Sequence, residues 1–577
     1  MSPLASGTGG LFGHIVGPAL ARDAQMLEQF MSPRDNVAES HVHPNPYSVY
    51  SDDPRNPVVY LKVPRQRPTA SSGNGTPGFK QCEVVEKILE PLGANLMGLY
   101  FDVIHPPFPI LDETAVRKAY QQGTLPHTLV CEIYAVILVY WELSEAVITT
   151  GRPVPDVRYI WNLTVSAMHD DFLSPTLSTV LACILDLLGR PITSITYNAV
   201  NIGSTVALAQ SLGLNRDPSN WNLDPRQKNL RIKTWWGLLI HDYWASLSHG
   251  TPGHVHRDQW DVALPQLDTI LDNSQTSSTA TPQARERGAE SFIALCRLTQ
   301  LLGDLLSVIY SLREEPLERM LKTLRRIETA VDDWQDSLPT WLNPGESGFE
   351  RDQPGSLNLK LSFLAVKMCI CRVALQQATR ASDQEEAAYH QSRCIKSGTA
   401  FIDFVTSLSV NESRAFWLPY TAYHFASAAT LMMRCALEAQ ADNTADNCVA
   451  TARRFIDYLR DMRTSANWDL VDICLGQCET TVKQMSEGAL PVFRRRNNGT
   501  VRSRQGAQGR TQKPPESERA IDGENQAGAD VVMDETIVLP EETMDQNMFL
   551  DDWQEQMPGD FYFPELWDVA RGDFRAF

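Results

Sequence analysis

Apolar side chains recur with the 3.6-residue period of an α-helix from about residue 78 to residue 490, and this pattern constrains the fold most. The first stripe runs through Val84, Val85, Ile88 and Leu89. Further helices are predicted at about 316–337, 356–380, 386–408, 413–440, 446–463 and 466–486. No segment alternates apolar and polar residues in a sustained way, so no sheet of consequence is expected. The sequence therefore predicts an all-α protein with one large multi-helix domain over residues 78–490.

The chain on either side of this domain has the composition of disordered protein. Residues 1–77 contain repeated prolines and a Ser-Ser-Gly-Asn-Gly run at 71–75, and they bury too little apolar surface to offset the entropy lost on ordering. The patch from Gly13 to Met31 is more apolar and is predicted to dock on another surface. We predict a mostly disordered N-terminal region at 1–77, a basic disordered linker at 491–529 and an acidic-aromatic segment at 530–577.

The net charge of −19 is concentrated at the C-terminal end. Residues 530–577 carry thirteen acidic and two basic side chains, a net charge of −11, so the charge describes this segment more than the whole surface. Its aromatic residues are interleaved with carboxylates, which is typical of a segment that docks as a short amphipathic helix in a coactivator groove. The candidate activation residues are Trp553, Phe561, Tyr562, Phe563 and Trp567. A C-terminal helix packed back onto the domain is the alternative.

A short basic run precedes the acidic segment. Arg494, Arg495 and Arg496 lie in a stretch, 488–515, that has seven basic residues and no acidic ones. Such a run is a candidate nuclear localisation signal, and a solvated linker is the alternative.

The cysteines and histidines indicate no metal site. Eleven cysteines in 577 residues are too sparse for a disulfide scaffold, and a reducing compartment fits best. No C-x2-C pair occurs, and Cys474 and Cys478 are interpreted as core residues. His41-x-His43 and His254-x-His256 lie in loop-like sequence without a carboxylate at a telling distance, so solvated histidines are expected.

Enzyme and membrane signatures are weak. The chain has no G-x-S-x-G elbow, no Walker lysine and no H-E-x-x-H, so no catalytic residue and no cofactor are predicted. The most apolar stretch, Leu129–Thr149, is broken by Glu132, Glu142 and Glu145, which indicates a buried helix rather than a membrane span. No signal peptide is visible, and a soluble intracellular protein is expected.

Two blocks of sequence, about 100 residues apart, carry an ordered pattern of polar and apolar positions. The first is the corner His105-Pro106-Pro107-Phe108-Pro109-Ile110-Leu111, in which three prolines in four positions end the preceding helix. The second runs from Asn198 to Pro265 and contains a helix closed by Gly213, a Trp235–Trp236 helix and a Gly250-Thr251-Pro252-Gly253 turn. A pair of ordinary core helices explains the apolar positions but not the polar ones.

Together these blocks resemble the middle homology region of fungal zinc-cluster transcription factors. The resemblance covers about residues 78–330 well, and the helices up to 490 less specifically. The matching positions are His105, Pro106, Phe108, Pro109, Leu208, Ala209, Leu212, Gly213, Leu214, Arg216, Asp217, Arg231, Trp235, Trp236, Asp242, Gly250, Pro252, Leu264 and Pro265. The chain departs from the pattern at Thr251, where the family has arginine, and at Ile232-Lys233, which replace a second arginine.

The resemblance implies a fungal transcription regulator located in the nucleus and expected to activate a metabolic or biosynthetic gene set. The family binds DNA through a six-cysteine zinc cluster, which this chain does not contain, so zinc is expected only if such a cluster lies upstream. DNA contact through that cluster or through a partner factor stays open, and no DNA-binding residue is identified. The alternative is a coregulator or helical interaction scaffold. A small-molecule effector at the Trp235–Trp236 and Asn198–Gly213 helices and a homodimer also stay open.

Overall fold

The structure is a computed structural model, and the residues it describes are 11–17, 20–21, 23–24, 47–51, 58–64, 76–172, 175–190, 194–271, 281–313, 315–439 and 441–487. These residues form eighteen α-helices and three short strands, which confirms the all-α prediction in all but the N-terminal part.

The helices follow the chain in this order. The first nine are α1 (Phe79–Leu89), α2 (Gly93–Val103), α3 (Glu113–Gln121), α4 (His127–Ile137), α5 (Glu145–Thr150), α6 (Val157–Phe172), α7 (Leu177–Asp186), α8 (Ile195–Ser211) and α9 (Pro225–His249). The remaining nine are α10 (Leu267–Ile270), α11 (Pro282–Ile309), α12 (Leu317–Asp336), α13 (Ser356–Arg380), α14 (Gln384–Thr406), α15 (Val410–Ser413), α16 (Thr421–Glu438), α17 (Asp442–Ala466) and α18 (Asp472–Ser486).

Helix α9 lies at the centre of the larger of two cores. Its start is fixed by Asp224, whose Oδ1 accepts a hydrogen bond from the Arg226 amide at 3.0 Å, and by Pro225 in the first turn. It ends at Gly250, which has the left-handed φ of 78°. Trp235, Trp236 and Trp244 are fully buried. Because α9 is buried on nearly every side, its apolar residues occur on every side and are not confined to one face.

The second core is built by α13 to α18. Helix α13 contributes one face to each core, because Leu359 and Phe363 belong to the first and Leu361 and Met368 to the second. The predicted helix at 413–440 was wrong at its start: the chain forms the short α15 and resumes as α16 at Thr421. Pro419 explains the break, since proline has no N–H to continue a helix.

A three-stranded antiparallel sheet is the main departure from the sequence prediction. Strands β1 (Leu11–Ile15), β2 (Tyr47–Ser51) and β3 (Val58–Pro64) pair in the order β1-β3-β2, within a region that was predicted to be mostly irregular. Val58, Val59 and Tyr60 are buried, and Ala21 and Ala24 pack on Val59. Ile15 of the Gly13–Met31 patch lies against Gly213, whereas Met26, Leu27, Phe30 and Met31 lie outside the described residues.

One helix is apolar enough to cross a membrane by length and composition alone. This helix, α11, reaches a mean hydropathy of 1.6 over an eighteen-residue window. Its apolar side chains, including Phe292, Leu295 and Leu302, are buried in the larger core. Within the described residues α11 therefore has the environment of a core helix.

Candidate functional site

The sequence-motif residues gather at three places along α9. At its N-terminal end, Arg231 donates to the phenolic oxygen of Tyr60 at 2.7 Å and also to the carbonyl oxygen of Leu212. Tyr60 donates to the same carbonyl at 2.7 Å, and the Arg231 guanidinium lies 4.9 Å from the ring centre of Trp221. Arg231 thus joins the N-terminal sheet to the end of α8.

Gly213 shows why this position needs glycine. Its φ is +63°, and a Cβ there would lie 2.5 Å from the Tyr60 hydroxyl and 2.7 Å from Cδ1 of Ile15. Leu214 beside it is buried, and Leu212 packs partly buried against the core. The backbone after this turn is held by Asp261, whose Oδ1 accepts from the Asp217 amide at 2.7 Å. The motif glycine therefore makes room for the sheet.

The middle of α9 meets the proline corner. Lys233 is only 5% exposed, and its Nζ donates to the carbonyl oxygen of Leu111 at 2.8 Å. Nε2 of His105 lies 3.1 Å from the same oxygen, so Nε2 carries the proton, because a carbonyl only accepts. Burial and the nearby Lys233 charge lower the pKa of His105 to about 3. His105 is therefore a neutral structural residue at this corner. Lys233, where the sequence departs from the family pattern, contacts Leu111 and so links the two sequence blocks.

Trp236 and Pro109 are packing residues of the same region. The indole Nε1 of Trp236 donates to the carbonyl oxygen of Ala263 at 2.8 Å, and its ring meets Trp260 edge-on at 5.4 Å. Pro109 is buried in the corner. Trp235 and Trp236 are both fully buried. Neither ring therefore offers an exposed surface to the effector that was predicted to bind this helix.

Asp242 organises the turn after α9. Its Oδ1 accepts from the His254 amide and lies 2.9 Å from Nδ1 of His254, and its Oδ2 accepts from the Val255 amide at 2.9 Å. The Asp242 side chain is buried, whereas His254 is 41% exposed. The hydrogen bond to Asp242 raises the pKa of His254. The expectation that His254 lacks a carboxylate partner was wrong, because the partner lies twelve residues away on α9.

The turn held by Asp242 contains two more motif residues. Gly250 has open space where a Cβ would lie, so its φ of +78° alone favours glycine there. Pro252 is exposed in the same turn, and Gly253 packs closely because its Cβ position is 3.2 Å from Oδ2 of Asp242.

A cavity of about 490 Å³ opens beside the proline corner. Pro106, Pro109 and Leu111 line one side, and Lys233 and Ile270 line another. Its volume is in the range of small-molecule sites. Sequence reasoning predicted an effector at the Trp235–Trp236 and Asn198–Gly213 helices and did not identify this cavity.

Two buried carboxylic acids form a further unusual feature. Glu132 on α4 is fully buried, and within the described residues neither of its carboxyl oxygens has a hydrogen-bond partner. Burial, and then the nearby Asp186, raise the pKa of Glu132. Burial also raises the pKa of Asp186 to about 7, although Asn201 donates to its Oδ2 at 2.5 Å. In the sequence Glu132 stands within an otherwise apolar helix, a pattern that predicted a buried helix but not a pair of buried acids.

The residues present do not fit a zinc cluster. All eleven cysteines are free thiols, and ten of them are buried. Burial raises the pKa of Cys474, which disfavours the thiolate that zinc requires. Among the described residues no group of three His, Cys, Asp or Glu side chains is placed to hold a metal ion.

Several predicted functional residues lie outside the described part of the chain. These are the candidate localisation residues Arg494, Arg495 and Arg496, the candidate activation residues Trp553, Phe561, Tyr562, Phe563 and Trp567, and the pair His41 and His43.

The packing of these motif residues around one buried helix is consistent with the family resemblance found in the sequence. The comparisons with known proteins agree: residues 97–336 match the family described as the fungal specific transcription factor domain. The chain is a fungal transcription regulator that carries this domain.

Curated relatives extend the similarity beyond the matched domain. The chain is 25% identical over 480 residues to an uncharacterised transcriptional regulatory protein of Schizosaccharomyces pombe, covering 82% of this chain and 69% of that protein. It is 24% identical to the transcriptional activator protein DAL81 of Saccharomyces cerevisiae, over 58% of this chain and 38% of that protein. It is 22% identical to cutinase transcription factor 1 alpha of Fusarium vanettenii, over 42% of this chain and 27% of that protein. No solved structure matches.

Proposed function

We propose that the chain activates transcription of a metabolic or biosynthetic gene set in the nucleus. The observation that carries the proposal is the convergence of the motif residues on α9, within a domain shared with fungal transcription factors. The names of two relatives, a transcriptional activator and a cutinase transcription factor, favour activation of metabolic genes.

The helical domain acts in this proposal as the regulatory part. An effector or partner that binds one arrangement of the domain better than another shifts the population toward it. The segment 530–577 then recruits a coactivator through Trp553, Phe561, Tyr562, Phe563 and Trp567. Homodimerisation is compatible with this scheme but is not required by it.

A reporter assay tests the activation step. The full chain is fused to an unrelated DNA-binding domain and compared with a variant in which the five candidate aromatic residues are alanine. Loss of reporter signal in the variant is expected, because the aromatic side chains supply the apolar contacts of such a segment. The matched control replaces five apolar non-aromatic residues of the same segment, Val531, Val532, Ile537, Val538 and Leu539, with alanine. If the wild-type fusion gives no reporter signal, the proposal that the chain activates transcription is contradicted.

Two routes to DNA stay open in the proposal. The first is a six-cysteine cluster encoded upstream of Met1, and the second is a DNA-bound partner factor, with this chain as coregulator. Genome-wide promoter occupancy of the tagged chain, expressed with and without any upstream reading frame, separates them. Occupancy that requires the upstream frame supports the first route, and occupancy without it supports the second. No occupancy in either form favours a helical scaffold.

Nuclear import is proposed to depend on Arg494, Arg495 and Arg496. Replacing all three with glutamine removes the charge while keeping long polar side chains. We expect the fluorescently tagged variant to lose nuclear enrichment. The matched control replaces Arg502, Arg504 and Arg510, which lie in the same basic stretch.

A further inference from the structure

We propose that two buried acids, Glu132 and Asp186, form a proton-controlled latch on helix α8. The latch keeps α8 closed while both acids are protonated and releases it when they lose their protons. Glu132 lies on α4 and Asp186 ends α7, and α7 packs both on α4 and on α8. The proposal concerns the purified chain, so it does not depend on the function proposed above.

Glu132 has no partner that could stabilise a charge in the closed structure. Its side chain is fully buried, and among the described residues neither carboxyl oxygen makes a hydrogen bond. An isolated carboxylate removed from water is very costly, so an acid in such a site keeps its proton. Burial, and then the neighbouring Asp186, accordingly raise the pKa of Glu132.

Asp186 is joined directly to α8. Its Oδ2 accepts from Nδ2 of Asn201 at 2.5 Å, and Oδ1 of Asn201 accepts in turn from the Thr205 hydroxyl at 3.1 Å. Asp186, Asn201 and Thr205 are all buried. Burial raises the pKa of Asp186 to about 7. This acid therefore gains or loses its proton near neutral pH.

Among the described residues, the ionisable groups around these acids supply no positive charge. Cys183 on α7 and Tyr197 on α8 are neutral, because burial raises the pKa of each. Asp171 on α6 is a further acid near Cys183. Arg190, which follows α7, donates to Asp469 at 3.1 Å instead. A proton is thus the species that neutralises the two acids in the closed form.

The other helices packed on α4 and α7 turn uncharged groups toward them. Helix α1 places Cys82 beside Cys131 of α4. Helix α9 meets α7 at Gly237, where a Cβ would lie 3.6 Å from Cγ2 of Ile184. Residues 191–193, between α7 and α8, are Pro, Ile and Thr and contain no ionisable side chain.

Loss of the two protons favours the open form of α8. In the open form water reaches the acids, which then ionise with the ordinary carboxyl pKa of about 4. Near neutral pH the open form therefore binds fewer protons than the closed form, so a rise in pH shifts the population toward the open form.

Release of α8 reaches the N-terminal sheet and the turn after α9. The carbonyl oxygen of Leu212, directly after α8, accepts from Tyr60 at 2.7 Å and also from Arg231. Gly203 of α8 lies against the His254 ring, since a Cβ there would be 3.1 Å from Nε2. The latch therefore loosens both contacts as pH rises.

Hydrogen exchange on the purified full chain tests the latch. Opening constants are corrected for the intrinsic pH dependence of amide exchange. In wild type we expect the opening constant of α8 to rise at least about tenfold between pH 6 and pH 8, the change that one acid with a pKa near 7 contributes. An opening constant that does not change with pH overturns the proposal.

Helix α17, which belongs to the second core, is the internal reference. We expect α8 to have a larger opening constant than α17 at every pH, because the latch releases α8 without unfolding the chain. Equal opening constants would mean that α8 opens only in global unfolding, and would overturn the latch.

Asp186→Asn and Glu132→Gln keep the shape of each side chain but remove its proton equilibrium. Each is expected to reduce the pH-dependent rise in the opening of α8, and the double variant to abolish it. The two single variants test the latch independently if one of them does not fold. Glu145→Gln, which makes the same change at an exposed residue of α5, is the matched control. A wild-type rise that persists in full in the folded variants overturns the latch.

Discussion

Arg231 on α9 donates to the phenolic oxygen of Tyr60 on β3 at 2.7 Å, although 171 residues separate them in the chain. Both groups also donate to the carbonyl oxygen of Leu212, so three distant segments meet at one acceptor. This contact gives a motif arginine of the helical domain a partner in the N-terminal sheet.

Tyr60→Phe is expected to loosen the sheet without unfolding the domain. The variant removes a hydroxyl that accepts from Arg231 and donates to Leu212, and a buried hydrogen bond of this kind contributes about 1 kcal/mol. Amide hydrogen exchange of residues 11–15 and 58–64 should accelerate, while exchange in α13 to α18 should not change. Tyr50→Phe is the control, since the Tyr50 ring packs on Tyr60 in the same sheet. Equal acceleration in both variants contradicts the prediction.

Gly213→Ala is expected to destabilise the protein more than Gly250→Ala. Both glycines have left-handed φ values, +63° and +78°, so each substitution costs about 1 kcal/mol from the backbone. Only at Gly213 does the new Cβ meet other atoms, the Tyr60 hydroxyl at 2.5 Å and Ile15 at 2.7 Å. Urea unfolding of the two variants measures the difference, and equal losses of stability show that the sheet does not pack tightly there.

Glu132→Gln is expected to stabilise the protein increasingly as pH rises. The buried carboxyl keeps its proton in the folded state at pH values where the unfolded chain, with its ordinary pKa, has lost it. The unfolded state then binds fewer protons, so wild-type stability falls by up to about 1.4 kcal/mol per pH unit above the unfolded pKa. Glutamine removes the part of this slope that comes from Glu132, while the part from Asp186, whose pKa is also raised, remains. The free energies of unfolding of wild type and Glu132→Gln, measured between pH 5 and pH 8 (about three units), give the two slopes. Glu346→Gln, which makes the same change at an exposed site, is the control.

The Asp242–His254 pair is expected to stabilise the turn most at low pH. The folded-state pKa of His254 is raised, so its stabilising charge is fully present below the unfolded pKa and is lost as pH rises through the folded pKa. The stability difference between wild type and His254→Gln should therefore shrink as pH rises from slightly acidic values. His256→Gln, which changes a neighbouring exposed histidine, is the matched control. A constant difference for His254→Gln excludes the pair as its cause.

The helical period placed most of the helices, because a buried stripe is a local property of the sequence. It placed α13 at Ser356–Arg380, as predicted for 356–380. Gly213, Arg231 and Asp242 were singled out by the family resemblance and not by the period. The period did not find the sheet or the partner of His254. The strands are short, and Tyr60 finds its partner Arg231 171 residues away. The His254 partner, Asp242, lies twelve residues away on α9. Such contacts are tertiary and leave no period in the sequence.

The two faces of α13 have a consequence for how this protein can be divided. The family match ends at residue 336, before α13 begins, yet the larger core includes one face of that helix. The residues of that face are Leu359, Phe363, Val366, Ile370, Val373 and Ala374, and those of the opposite face are Leu357, Leu361, Ala365, Met368, Cys371 and Leu375. A fragment that ends at residue 336 would expose to water the apolar side chains of the larger core that pack on α13. The smallest fragment expected to keep both cores covered therefore reaches to the end of α18.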